Sequence, residues 1–181
     1  VVVAAAVVRQ QFATPRSATG VPSAPTYVED WDRLGQGGLR IGLRSAPVQI
    51  VAFADFQCPY CKTFHSAARQ VMAEQPDLVS LAYYQLPLSN PLHASAAARA
   101  AGCAAEQSRF AEMADELFAN QESLGGRAWT AYAYSAGVAD TSSLALCMEG
   151  DSIRARIGAD RVLATRLSIT GTPTVIVNGW R

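Results

Sequence analysis

Apolar positions along the chain fall first into short continuous runs and then into longer stretches with a helical period. Val48 to Phe53 is a compact apolar run containing Val, Ile and Phe, which predicts a buried strand. Asp55 to Gln57 forms a turn, and Pro59 suits the first turn of a helix, where its missing N–H does no harm. That helix extends to about Gln75 and stops before Pro76-Asp77, after which Leu78 to Leu86 reads as a second strand and Pro87 to Pro91 as a loop. From Leu92 to about Leu167 the character is helical. His93 to Gln107 is rich in Ala, and Phe110, Met113, Leu117 and Phe118 mark one helix face. Gly125-Gly126 interrupts the pattern; Arg127 to Ser135 resumes it and ends at Gly137, a C-terminal cap. Asp140 and Thr141 cap a helix through Met148, and Asp151 caps the next. Thr174 to Val177 is a β-branched strand, followed by Asn178-Gly179, the strongest short hairpin signal.

A strand, a helix, a strand, several helices and a terminal hairpin make an α/β domain with a helical insertion. The predicted domain covers 39–181, with the insertion at about 92–167, and 181 residues suit this single folded unit. Residues 13–38, rich in Ala, Pro, Ser, Thr and Gly, read as a tether. Before them Val1 to Val8 is apolar but shorter than the roughly twenty residues that span a bilayer, so 1–38 reads as a signal or anchor remnant plus tether. Past Asn178-Gly179 only Trp180 and Arg181 follow, so either the closing strand and helix of the sheet are missing or another segment covers that edge.

With 15 basic and 15 acidic residues, the chain carries no electrostatic footprint for nucleic acid and no polybasic membrane patch. Its four cysteines, an even number, fit an oxidising compartment.

Chemistry concentrates at Cys58-Pro59-Tyr60-Cys61, directly after a strand and opening a helix, the context that makes C-x-x-C a redox motif. A thiolate at a helix N-terminus meets unpaired N–H groups and the positive end of the macrodipole, which favours the charged form. Cys58 is therefore expected to be exposed and nucleophilic. Cys61, one turn further in, is expected to be buried and to resolve mixed disulfides. Two other readings stay open: a structural disulfide, and a zinc site completed by His65 and His93, although the Cys61 to His65 spacing matches no familiar finger. His65 otherwise reads as a partly exposed helical residue. A second signal is Gly171-Thr172-Pro173-Thr174, running into the last strand. A cis Thr172–Pro173 bond would put a bend beside the thiols, and the Thr172 backbone could pair with an extended substrate peptide.

Together, Val51 to Cys61 and Gly171 to Gly179 resemble the DsbA-like thioredoxin family, and the stretch holding His93-Ala94, Ala97-Ala98, Cys103-Ala104, Gln107, Phe110, Met113 and Leu117-Phe118 resembles that family's helical insertion. The resemblance covers about residues 39–179. It implies a thioredoxin-like fold with an inserted helical subdomain, a cis proline at Pro173, and a periplasmic or other extracytoplasmic setting, to which the N-terminal apolar segment adds membrane anchoring as an expectation. It also implies that some members pair the cysteines standing here at Cys103 and Cys147; joining them would stabilise by about 4 kcal/mol in the chain-entropy model. The other possibility is two buried free thiols. One departure matters: many members carry a buried acid where this chain has Ala52, and Asp55, though nearer the thiols, sits in the turn.

The expected function is thiol–disulfide exchange with protein or peptide substrates, more readily as oxidant. No cofactor and no metal are expected, and the expected monomer is reset by a redox partner protein, membrane-embedded in one reading. The alternatives are a reductase or isomerase of the same fold and a non-catalytic peptide-binding module.

Overall fold

The computed structural model describes residues 24–88 and 93–181. The apolar Val1 to Val8 segment, residues 13–23 of the expected tether, part of the Pro87 to Pro91 loop and Leu92 lie outside them. The described elements begin with α1 (Trp31–Gln36), β1 (Leu39–Ile41), β2 (Val48–Ala54), α2 (Pro59–Glu74) and β3 (Val79–Gln85). They continue through α3 (Ala94–Glu106), α4 (Phe110–Ala119), a 3-10 turn (Gln121–Ser123), α5 (Trp129–Ser135), α6 (Thr141–Glu149), α7 (Asp151–Arg166) and β4 (Thr174–Val177).

The four-stranded sheet has the order β1-β3-β2-β4. β2 and β3 are parallel and linked through α2, with Val48 opposite Val79 and Ala54 opposite Gln85. β1 and β4 flank them antiparallel, Leu39 opposite Tyr83 and Ala52 opposite Val175. Period-two alternation sends Val51, Phe53, Ala82 and Tyr84 into one core, with Leu34, Ala164 and Ile176. Ala52, Ala54, Leu81 and Tyr83 enter the other, with α2 and the inserted helices. Strands covered on both faces read as unbroken apolar runs, which is why β2 and β3 were visible in the sequence. Phe53 and Tyr84 stack at 5.0 Å, an arrangement contributing about 1 kcal/mol beyond area burial. A disulfide joins Cys103 of α3 to Cys147 of α6, 44 positions apart, with their Cα atoms 5.8 Å from one another.

The described part of the tether is structured. α1 begins at Trp31, buries Leu34 and Gly35, and its Leu34 carbonyl accepts from the Tyr84 hydroxyl at 3.0 Å. Six residues hold too few apolar positions to display a period, so the segment passed for a linker. β1 was also unpredicted, since three residues give no alternation to read.

Asn178-Gly179 turns the chain as expected, with φ of 44° and 90°, and Val177 and Trp180 exchange backbone bonds at 2.9 Å. Both central positions need positive φ, which Gly supplies freely and Asn tolerates. The Asn178 side chain also accepts from the Gln49 N–H at 2.8 Å and donates to the Pro47 carbonyl at 3.1 Å. Where the chain returns past this turn, another segment pairs with it: Tyr27 bridges Trp180, and Thr26 and Arg181 exchange backbone bonds at 3.1 and 2.9 Å. Among the described residues no helix is long and apolar enough to cross a membrane.

Candidate active site

β2 ends at Ala54, and its last residues and the following turn set both cysteines. Cys58 is the N-cap of α2, with extended backbone (φ −81°, ψ 119°) and Pro59 behind it at the first helical position. Its carbonyl accepts from Cys61 N at 3.0 Å and Lys62 N at 3.2 Å, closing the first turn, while its own N–H donates to the Asp55 carbonyl at 3.1 Å. One turn on, Cys61 is wholly buried, and its sulfur accepts from the Asp55 N–H at 3.5 Å. Both cysteines are free thiols.

The loop before β4 closes the site. The Cys58 thiol donates to the Thr172 carbonyl at 3.2 Å, and the Thr172–Pro173 peptide bond is cis. This brings Gly171-Thr172-Pro173-Thr174 against the C-x-x-C turn. One expectation needs correction: Cys58 is not exposed but 9% accessible, because the Thr172 segment lies over it, and Pro59 and Tyr60 (74%) are the exposed members of the motif.

Burial is the main reason the Cys61 thiol is pushed up to about 12, with the Asp55 N–H and the Thr172 side chain pulling the other way. Asp55, 1% accessible, is also pushed above the usual carboxylate range by burial. Its carboxylate accepts from Gln57 N at 2.8 Å and Leu88 N at 2.9 Å, and these bonds oppose the shift. Asp55 thus braces the turn.

Gln121, Tyr83 and Asp115 add contacts with no counterpart in the sequence reading. Gln121, in the 3-10 turn of the insertion, is nearly buried and donates through Nε2 to the carbonyls of Phe56 (2.8 Å) and Cys58 (2.9 Å). It ties the helical insertion to the redox turn. His65 is 4% accessible rather than partly exposed. Its Nδ1 meets the Tyr83 hydroxyl at 2.6 Å and its Nε2 the Asp115 carboxylate at 2.7 Å. Asp115 is also held by Arg69 in a two-pronged pair at 2.9 Å. Burial would raise the Asp115 carboxyl, but the hydrogen bonds and charges of His65 and Arg69 outweigh it and hold the group low. With both ring nitrogens so engaged, His65 does not join Cys58 and Cys61 as a ligand. Among the described residues no group of His, Cys, Asp and Glu is placed to hold a metal. The only signals for Gln121, His65 and Tyr83 were polar residues inside apolar patterns, which single out no partner.

A family model described as thioredoxin matches residues 35–181. A Salinispora tropica protein named Na(+)/H(+) antiporter NhaA 3 is 37% identical over 146 residues, covering 77% of this chain and 21% of that protein. A Mycolicibacterium gilvum protein named Na(+)/H(+) antiporter NhaA 1 is 33% identical over 143 residues, covering 77% and 23%. The chain therefore spans about a fifth of the length of these curated relatives. Among solved structures, a thioredoxin-like oxidoreductase from Silicibacter pomeroyi superposes with a TM-score of 0.67 at 26% identity, over 81% of this chain and 84% of that one. DsbA2 of Pseudomonas aeruginosa gives a TM-score of 0.64 at 26% identity, over 78% and 79%. Sequence, fold and redox turn agree, and the chain belongs to the thioredoxin family, on its DsbA-like side.

Proposed function

We propose that this chain is a thiol–disulfide oxidoreductase that oxidises protein or peptide thiols outside the cytoplasm through Cys58 and Cys61. The observation that carries the reading is the placement of Cys58: capping a helix, within 3.2 Å of the Thr172 carbonyl, and one turn from the buried thiol of Cys61. A Cys103–Cys147 disulfide supports an oxidising compartment. The named antiporter relatives support a membrane setting, where a redox partner protein would reset the pair.

In the oxidised enzyme a substrate thiolate attacks the Cys58 sulfur. The Cys58–Cys61 bond breaks, a mixed disulfide forms, and Cys61 departs with the electron pair and takes up a proton. A second substrate thiolate then attacks the substrate sulfur of that mixed disulfide, leaving a substrate disulfide and the Cys58 thiolate. The Thr172 main chain lies where an extended substrate strand would pair beside the sulfur, so Thr172 and Pro173 form the substrate-binding edge in this reading, with Pro59 and Tyr60 as the intervening dipeptide.

The test is oxidation of a reduced dithiol peptide by the intact chain. Cys58→Ser should abolish it, and Cys61→Ser should accumulate the mixed disulfide. The equilibrium with glutathione should place the pair near the oxidants, at about −120 to −180 mV; a value near about −270 mV would assign the opposite direction. Peptide oxidation at an undiminished rate by Cys58→Ser overturns the proposal.

A further inference from the structure

The sheet has two edges, and only one of them serves the thiols. β4 and the Pro173 loop flank the sulfurs at that edge, whereas β1 stands at the other. There β1 walls a cavity of about 510 Å³ with the end of α3, the start of α4 and one side chain of α7, a volume in the range of small-molecule sites. Three arginines line it: Arg40 of β1, Arg44 in the loop that follows, and Arg156 of α7. Backbone carbonyls gather two of them. Arg44 Nη1 donates to the Gln36 carbonyl and Arg156 Nη2 to the Gly38 carbonyl at 3.5 Å, so both guanidiniums rest on a short stretch just ahead of Arg40.

Arg40 is the most deeply set of the three. Its Nη1 donates to the Ser80 hydroxyl at 3.2 Å, but its Nε and Nη2 are buried without an acceptor. A guanidinium stays charged at neutral pH, and a buried charge with unpaired N–H groups is costly until a counter-charge meets it. Among the described residues no carboxylate lies within ion-pair distance of Arg40, Arg44 or Arg156. Two acids share the cavity wall, Glu106 and Glu112, and Glu112 is paired with Arg109 at 2.9 Å. Asp160, one turn beyond Arg156 on α7, is buried and engaged by the Gln85 N–H. One carboxylate, that of Glu106, therefore stands against three guanidiniums. The first turn of α4, which lacks a side-chain cap, lines the cavity as well and adds the positive end of its macrodipole.

We infer that this cavity binds a small phosphate monoester, held by Arg40, Arg44 and Arg156. A dianion matches the excess of two positive charges, where a single carboxylate would leave one unanswered. Arginine forks meet phosphate oxygens two bonds at a time, so three of them suit a tetrahedral group with three free oxygens. The cavity is larger than a phosphate, and Leu39, Ile41 and Phe110 supply apolar wall for the organic part of the ester. Arg40 forms the floor, its unpaired nitrogens reaching an oxygen by rotation of its own side chain, while Arg44 and Arg156 are exposed and close from the rim. The ester is either a soluble molecule or the headgroup of phosphatidic acid, which present the same group. Lying at the sheet edge away from the sulfurs, the site stands apart from thiol exchange and does not depend on it.

Calorimetric titration of the whole chain with phenyl phosphate at low ionic strength should show one saturable site. Inorganic phosphate should bind more weakly for want of an apolar part, and benzoate, a monoanion on the same ring, about tenfold more weakly or worse. Arg44→Gln and Arg156→Gln should each weaken phenyl phosphate about tenfold, the worth of one charge-assisted bond. Arg40→Met keeps the stem, removes the charge and should abolish binding; if it unfolds by circular dichroism, the two rim variants decide. Cosedimentation with phosphatidylcholine vesicles, with and without phosphatidic acid, separates the sources. Arginine-dependent binding of phenyl phosphate assigns a soluble ester, and arginine-dependent cosedimentation that requires phosphatidic acid, without phenyl phosphate binding, assigns the lipid. Absence of both, benzoate binding as tightly as phenyl phosphate, or native affinity in folded Arg44→Gln and Arg156→Gln overturns the proposal.

Discussion

Single side chains here carry charge costs that follow from where the backbone puts them. Asp160 of α7 is buried and accepts from the Gln85 N–H at 2.8 Å, and burial raises its pKa to about 6 despite that bond and nearby Arg156. Its unfolded value is about 3.9, so the folded state binds the proton more tightly. The stabilisation from that proton is fully present below about pH 4 and is lost as pH rises through about 6. Asp160→Asn keeps an acceptor for Gln85 and has nothing to ionise. Urea unfolding at both ends of this window should show the variant gaining about 3 kcal/mol on the native chain between acid and neutral pH. A constant difference between the two would mean that Asp160 is solvated when charged.

At the level of elements, the redox turn is held from two sides by segments remote in sequence. Gln121 reaches from the insertion to the carbonyls of Phe56 and Cys58, and Thr172 reaches from the β4 loop to the Cys58 thiol. Gln121→Ala takes this donor from the buried Phe56 carbonyl, at about 1–3 kcal/mol for the unsatisfied group, while the Cys58 carbonyl keeps its bonds from Cys61 and Lys62. The expected outcome is a less stable chain with faster hydrogen exchange at Cys58 and Cys61; unchanged protection would show that the turn holds itself. How much was legible in advance follows from the same distinction between local and remote. The strand–turn–helix frame of Cys58 and Cys61 was readable because β2, Pro59 and the period of α2 are local patterns. The Asn178-Gly179 turn was readable for the same reason, since its residue types carry its geometry. α1 and β1 were not, being too short to show a period. The set Tyr83, His65 and Asp115 was not either, because its members lie on three elements, with separations of 18 and 50 positions, and only folding brings them together.

Across the whole molecule, the helical insertion depends on one covalent link and on Ala-rich packing. Small side chains let α3 approach its neighbours closely but bury little area apiece, and the Cys103–Cys147 bond closes the span from α3 to α6. Replacing both cysteines by Ala should lower unfolding free energy by about 4 kcal/mol at most and leave exchange at Cys58 intact, as measured by denaturant titration and peptide oxidation. Loss of exchange in a folded double variant would assign the link a part in the chemistry.

The mutual bonds between Thr26 and Arg181 have a consequence for attachment. They sit by Trp180 and Val177, and Val177 pairs with Ile50 near the start of β2, whereas Cys58 follows the far end of that strand. Thr26 and Arg181 thus share one doorway, separated from the sulfurs by the run of β2 from Ile50 to Ala54, about 13 Å. A label placed at Arg181 would therefore start beside the opening of β2, on the far side from Cys58.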